Sequence, residues 1–280
     1  MKNIVIAAGY ATRLYPLTQN FPKPLLKVGN RTILDRMLDD LDNIQDIDSH
    51  IIVSNHKFAS IFQEWAKQRM EEGENRKPIT IIDDGTSTND TRLGAVRDLL
   101  LAIDTIENAQ HSTPNGQSSM VNGQYSMVNI QWSTVNIQWP DDIMVVAADN
   151  ILDFSFQGFV DYFKQKESSV IMCHHEPELR KLQRTGVIAV DEQMKVLEMQ
   201  EKPEKPVSNW AVPPFYIYKK EDLPLIRDCM NHGCGFDAPG NLAHYLVDVT
   251  TIHAWPMPGS RYDIGSLDSY EEAQRIFADK

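Results

Sequence analysis

An α/β fold with a doubly wound, mostly parallel sheet is what this sequence predicts, on three observations. Short apolar runs alternate with stretches of helical period through the first hundred residues, the pattern of repeated strand–helix–strand units. The opening run, Ile4 to Ala8, breaks at Gly9 into a loop bearing Thr12, Arg13 and Lys23, as a buried strand does when it feeds a ligand loop. A later apolar run, Ile143 to Ala148, ends in Asp149-Asn150, which puts a carboxylate on the same edge of the sheet.

Taken in order, the first strand leads into small residues, Ala7, Ala8, Gly9 and Ala11, that let a ligand approach the backbone. Thr32 is a candidate cap for a helix over 32–41, in which Ile33, Leu34, Met37, Leu38 and Leu41 share one face. A strand follows at 50–53, then a helix over 58–70 with Ile61, Phe62, Trp65 and Ala66 inward. A strand at 79–82 runs into the polar segment Asp83 to Thr88, and a helix is expected over 93–103. Beyond it, residues 119–139 read SMVNGQY, SMVNIQW, STVNIQW, a repeat of period seven that neither a strand nor a helix buries on one face. Residues 108–139 therefore read as an insertion on the amino edge of the sheet, within a single domain of 1–280 that closes in a small C-terminal appendage from about 235. Strands at 143–148, 169–174, 185–191 and 195–199 and a helix at 176–184 complete the pattern.

Composition narrows the function. Hydrophobic residues at 42% and charged residues at 24% suit a globular protein. No apolar run approaches the ~20 residues of a membrane span, and the N-terminal run is too short for a signal peptide, so a cytoplasmic protein without membrane contact is expected. A net charge of −12 argues against general nucleic-acid binding. Even so, the first 36 residues hold Lys2, Arg13, Lys23, Lys27, Arg31 and Arg36 against the single acid Asp35, a local positive patch for a small anion. Cys173, Cys229 and Cys234 form no closed disulfide set and read as reduced thiols.

The loop lacks both G-x-x-x-x-G-K-[ST] and G-x-G-x-x-G. Ala7-Ala8-Gly9-Tyr10-Ala11-Thr12-Arg13-Leu14-Tyr15-Pro16-Leu17-Thr18, then Pro22-Lys23-Pro24, resembles instead the A-A-G-x-G-T-R-L-x-P-x-T…K-P opening of the sugar-phosphate nucleotidyltransferases, such as the glucose-1-phosphate thymidylyl- and uridylyltransferases. Ala11 stands where that family has Gly. The resemblance continues through Ala148-Asp149-Asn150 for G-D-N, Thr185-Gly186-Val187-Ile188 for Y-G-V-V, Glu201-Lys202-Pro203 for E-K-P, Ser208 to Tyr218 for S-N-Y-A-V-T-G-L-Y-x-F, and Arg261 to Gly265 for W-x-D-x-G. Pro213 and Pro214 depart from it, and no Gln precedes Gly94 in the segment Asp84 to Gly94, where the family reads its base.

What the resemblance implies is a Rossmann-like nucleotidyltransferase fold that moves a nucleoside monophosphate from a triphosphate to a sugar 1-phosphate, with Mg2+ and release of pyrophosphate. Ala7, Ala8, Gly9, Ala11, Thr12, Arg13, Lys23, Asp84 and Gly94 would bind the nucleotide. Gly186, Glu201, Lys202 and Val212 would bind the acceptor, and Asp149 and Asp263 the metal. Arg13, Lys23 and Lys202 would be the catalytic cations. Two alternatives stay open: a CTP-dependent enzyme acting on a phospho-amino-alcohol such as phosphocholine, with Trp210, Phe215 and Tyr216 as a cage for the ammonium, and a non-catalytic regulatory subunit. Base, acceptor and any assembly into a homo-oligomer are left open.

Overall fold

The computed structural model describes residues 1–73, 75–111 and 141–278. Its first half is a run of parallel strands with helices between them: β1 (Lys2–Ile6), the short hairpin β2 (Lys27–Val28) and β3 (Arg31–Thr32), α1 (Ile33–Asp42), β4 (Ser49–Ser54), α2 (His56–Glu71), β5 (Ile79–Asp83) and α3 (Ala95–His111). Next come β6 (Ile143–Ala147), β7 (Asn150–Leu152), α4 (Gln157–Lys166), β8 (Ser169–His175), α5 (Leu179–Leu182), β9 (Gly186–Val190), β10 (Val196–Glu201), β11 (Trp210–Val212) and β12 (Phe215–Tyr218). The chain closes with α6 (Leu223–Asp228), α7 (Pro239–Val249), β13 (Ile252–Pro256), β14 (Arg261–Asp263) and α8 (Leu267–Ile276).

β1 lies between β4 and β6, parallel to both, with Lys2 opposite Ser49 and Ile143, and β5 extends the sheet beyond β4. These strands are buried on both faces, which is why they read as unbroken apolar runs. On one face Val5, Ile52 and Met144 meet Leu38 of α1, Phe62 of α2 and Phe159 of α4. On the other, Ile4, Ile51 and Ile143 meet Leu99 and Ile103 of α3 and Leu246 of α7. Helices thus cover both faces, as the doubly wound pattern requires. Beyond β6 the sheet turns mixed: β12 runs antiparallel to β6 and β8, β13 runs parallel to β8, and the hairpin β9–β10 joins through β11.

Local signals set the helix starts. The Thr32 hydroxyl accepts from the Asp35 amide at 2.9 Å, and the Asn55 side chain accepts from the Phe58 amide at 3.1 Å. Each such cap stabilises its helix by ~1 kcal/mol. Some boundaries differ from expectation. β1 begins at Lys2 because the Lys2 ammonium, 3.3 Å from Asp48, can be buried there. The helix expected over 176–184 contracts to one turn, while that expected to end at 103 runs to His111. Apart from residues 108–111, which continue α3, the expected insertion 108–139 lies outside the described residues. The connection re-enters at Asp142, whose carbonyl accepts from the Lys2 amide at 3.1 Å, on the amino edge of the sheet.

One expectation about the C-terminal part needs restating. Cys229 and Cys234 are joined in a disulfide, contrary to the reading of three reduced thiols; only Cys173, which is buried, is free. A 3-10 turn over 229–232 and Gly233 at φ 73° fold the chain back, leaving the two Cα atoms 5.3 Å apart, within bridging reach. The segment from 235 contributes Leu242, Ala243 and Leu246 of α7 and Ile252 and Ala254 of β13 to the main core. Its last helix packs Ala273, with Phe277 just beyond, against Leu14, Leu26 and Val28 of the N-terminal loop, together with Ile151 and Ile264.

Candidate active site

The loop after β1 is held from both sides. Asn55, fully buried at the start of α2, donates to the Ala8 carbonyl at 2.9 Å, and the Ala7 amide donates to Val53 at 2.9 Å. Ala11 takes the left-handed conformation, φ 47° and ψ 43°, and its carbonyl accepts from the buried Thr18 hydroxyl at 2.8 Å. That backbone is the reason Gly suits this position in the resembled family. One 3-10 turn, Thr12–Leu14, follows, anchored by Leu14 in the core, so that Thr12 and Arg13 stand exposed at the carboxyl edge of the sheet.

Lys23, Asp149 and Asp263 converge although 126 residues separate the first two. The Lys23 ammonium donates to Asp149 Oδ2 at 2.7 Å and to the Ile264 carbonyl at 2.6 Å. β7 pairs with β14, setting Asn150 opposite Asp263, and the Ile264 amide donates to the Asp149 carbonyl at 3.0 Å. Asn150 donates to Asp149 Oδ1 at 2.7 Å, and Arg261 steadies Asn150 with a 2.7 Å hydrogen bond. Burial, then the charge of Asp149, pushes the Asp263 carboxyl up from its ordinary range; Arg261, Lys23 and Arg13 oppose this and do not cancel it. Two carboxylates that repel one another suit a small divalent cation, and magnesium on phosphates needs only one or two of them. Asp153, the nearest other acid in sequence, is occupied: its Oδ1 accepts from the Ser260 amide at 2.7 Å.

A second group lies beyond β12. Gly186 is the register partner of both Glu201 and Val212, and a Cβ added there would meet Met199 at 3.0 Å and Val212 at 3.3 Å. Burial raises the Glu201 carboxyl above its usual range, with Lys202, 3.4 Å away, and His244 pulling it back. Lys202 itself is exposed, with φ 49°. Pro213 and Pro214 link the two groups, because the Pro214 carbonyl accepts from the Ala147 amide, two residues before Asp149, at 3.1 Å.

A third group sits beside the Gly9 loop. Asp84, only 7% exposed, accepts from both the amide and the hydroxyl of Thr86, and the Tyr10 hydroxyl meets Thr86 Oγ1 at 3.2 Å. Gly94, at φ 93°, is required by packing: a Cβ there would lie 2.5 Å from the Phe236 carbonyl.

Sequence reasoning gave no role to Asn55, Thr18, Tyr10, Thr86 and Gly240. Asn55 carries a cap signature, but its bond to Ala8 crosses 47 residues. Gly240 had none; a Cβ there would strike Glu201 Oε2 at 2.0 Å.

Comparison with known proteins identifies the family. The chain is 23% identical to a glucose-1-phosphate adenylyltransferase of Fervidobacterium nodosum over 97% of its own length, and spans 60% of that protein. It is 24% identical to the UTP–glucose-1-phosphate uridylyltransferase AglF of Haloferax volcanii, covering 98% of this chain and 96% of AglF. The fold superimposes with a TM-score of 0.72, at 18% identity, on a UDP-glucose pyrophosphorylase solved with UDP-glucose, over 99% of this chain and 97% of that one. With residues 2–280 matching the sequence model described as nucleotidyl transferase, on a doubly wound sheet whose carboxyl edge gathers Lys23, Asp149 and Asp263, this chain belongs to the nucleotidyl transferase family.

Proposed function

We propose that the protein transfers a nucleoside monophosphate from a nucleoside triphosphate to a sugar 1-phosphate and releases pyrophosphate. The observation that carries this is the meeting of Lys23 with Asp149 and Asp263 at the end of β6, flanked by the Gly9 loop on one side and the Gly186–Glu201–Val212 group on the other. Asp149 and Asp263 would hold Mg2+, which would supply charge neutralisation for the phosphates. Backbone amides around Ala8, Gly9 and Ala11 cradle the triphosphate, and exposed Arg13 takes the pyrophosphate end. Lys23 exchanges its bond to Asp149 for an oxygen of the α-phosphate as negative charge grows there. Lys202 holds the acceptor phosphate, and Glu201 accepts from sugar hydroxyls. An acceptor phosphate oxygen then forms the new bond to the α-phosphorus as the bond to pyrophosphate breaks, a reaction that needs alignment and charge compensation more than a protein base.

The phosphocholine alternative gains no support from its aromatic residues: Phe215 and Tyr216 are buried, and Trp210 packs edge-on against His175. Among the described residues no helix is long and apolar enough to cross a membrane, and we place the reaction in the cytoplasm. The test is pyrophosphate release from four nucleoside triphosphates, each offered with a panel of sugar 1-phosphates and with phosphocholine. Release with a sugar 1-phosphate is expected; release only with phosphocholine, or with no acceptor at all, overturns the reading.

A further inference from the structure

We propose that Arg261 is a positioning residue for the nucleotidyl transfer: acting through the Asn150 amide, it keeps the Asp149 carboxylate in place when Lys23 leaves it. The proposal rests on the nucleotidyltransferase reading and goes beyond it, because that reading gives Arg261 no part.

Exposure separates the two groups that face the site from the two behind them. The side chains of Asp149 and Asp263 are 34% and 53% exposed, whereas Asn150 is 1% exposed and the Arg261 side chain 19%. β14 brings Arg261 here by register: Arg261 lies opposite Leu152 and Asp263 opposite Asn150. Two residues apart on one strand, Arg261 and Asp263 point to the same face. The guanidinium accordingly reaches both acids, one directly and one through an amide. Its Nη1 donates to Asn150 Oδ1 at 2.7 Å and lies 3.8 Å from Asp263 Oδ2.

Donor and acceptor chemistry leaves the Asn150 amide a single orientation. A guanidinium only donates and an ionised carboxylate only accepts, so the amide turns its oxygen to Arg261 and its nitrogen to Asp149, donating to Oδ1 at 2.7 Å. Without the guanidinium, the buried amide oxygen loses its partner, and a flipped amide would set that oxygen against a carboxylate oxygen. Asp149 Oδ2 takes the Lys23 ammonium at 2.7 Å. When Lys23 moves to the α-phosphate, only the Asn150 bond remains of these two. Arg261 therefore matters most as the transition state forms, and little when the substrates first bind. Partners behind a cation-holding carboxylate typically account for about 10- to 100-fold in affinity or rate.

The test compares the full chain with Arg261→Met, Arg261→Lys, Asn150→Ala and the double variant Arg261→Met, Asn150→Ala. Pyrophosphate release is followed with magnesium, the triphosphate and the sugar 1-phosphate that the parent uses. Arg261→Met is expected to lower kcat about 10- to 100-fold and to leave both KM values within about threefold. Arg261→Lys, which keeps a charged donor, should return kcat to within about fivefold of the parent. In the Asn150→Ala background Arg261→Met should cost less than about threefold more, since residues that act through one contact are not additive. Calorimetric titration with inorganic tripolyphosphate reads the same role without turnover. Magnesium should tighten that binding in the parent and about tenfold less in Arg261→Met, while binding without magnesium should be the same in both. A kcat of Arg261→Met within threefold of the parent, full additivity with Asn150→Ala, or an equal loss of tripolyphosphate affinity with and without magnesium overturns the positioning role. Should Arg261→Met fail to fold, Arg261→Gln, neutral and two bonds shorter, replaces it in each comparison and the same results decide. In all of these cases pyrophosphate release by the parent leaves the nucleotidyltransferase reading standing, whereas a parent that releases none with any sugar 1-phosphate sinks both.

Discussion

Two clusters of charge lie under the same sheet and are built on opposite plans. Between α1 and α2, the Arg69 guanidinium, 1% exposed, reaches Asp35 at 2.7 Å, Asp42 at 2.8 Å and Asp39 at 3.0 Å. Arg31 holds Asp39 at 2.6 Å, Arg76 bonds both Asp39 and Asp42, and His50 sits 3.0 Å from Asp42 and 3.0 Å from Asn3. Each of these carboxylates has at least one guanidinium, a planar fork that locks geometry as well as charge. At the carboxyl edge, by contrast, Asp149 is held by Lys23 and by the Asn150 amide, and Asp263, with Arg261 3.8 Å away, is left with its carboxyl raised. Charge met by several opposite charges holds a fold together; charge left under-compensated at a strand edge is charge kept for a ligand.

The comparison is broken most directly at Asp149. Asp149→Asn should lower turnover about a thousandfold, some 4 kcal/mol of barrier, while the melting curve stays near that of the parent. Steady-state rates measure the first and calorimetry the second. Turnover within threefold of the parent would move Asp149 into the structural class.

Arg69→Met should do the reverse. Removing one partner from a buried network leaves carboxylates uncompensated, and a loss of about 3 kcal/mol in denaturant unfolding is expected, at the lower end of the usual range because Arg76 and Arg31 remain. A stable protein with unchanged unfolding would show that the network contributes little.

The pH dependence separates the clusters by sign. Burial alone would raise Asp42, but the hydrogen bond from His50, the Lys77 amide and the charge of Arg69 outweigh it and hold Asp42 well below the usual carboxylate range. Its stabilisation is present above about pH 4 and is lost as pH falls through the lowered value. Asp98, raised to about 8, has the opposite linkage: stability is full below about pH 4 and declines as pH rises towards 8. Melting temperatures of the parent and Asp98→Asn, compared from pH 5 to pH 8, should therefore diverge in the variant's favour as pH rises. A difference constant across that span would mean that Asp98 ionises as an ordinary surface acid.

The smallest effect is expected at Ala11, whose left-handed backbone penalises a Cβ. Ala11→Gly should stabilise by about 0.5 kcal/mol, the strain relieved being partly offset by the freedom glycine gains in the unfolded chain. Thermal unfolding checks this, and destabilisation would mean that the Ala methyl packs usefully in the loop.

Periodicity along the chain was enough to determine the alternation of strand and helix through α3, the caps at Thr32 and the carboxyl-edge position of the Gly9 loop, because each depends on residues a few positions apart. The strand-end reading put Arg13, Lys23 and Asp149 at that edge, and resemblance added Asp263, Glu201 and Lys202, but neither supplied a distance between any two. Only the folded chain decided that β12 reverses direction beside β6, that β14 returns to lay Asp263 against Asn150, and that Gly233 turns Cys234 back onto Cys229. The same holds for Asp98, whose buried Oδ1 finds no hydrogen-bond partner. Local pattern reports which face of an element is apolar. Which charges end up neighbours across 126 residues, and which are left without a partner, is set by packing and pairing that no short window of sequence contains.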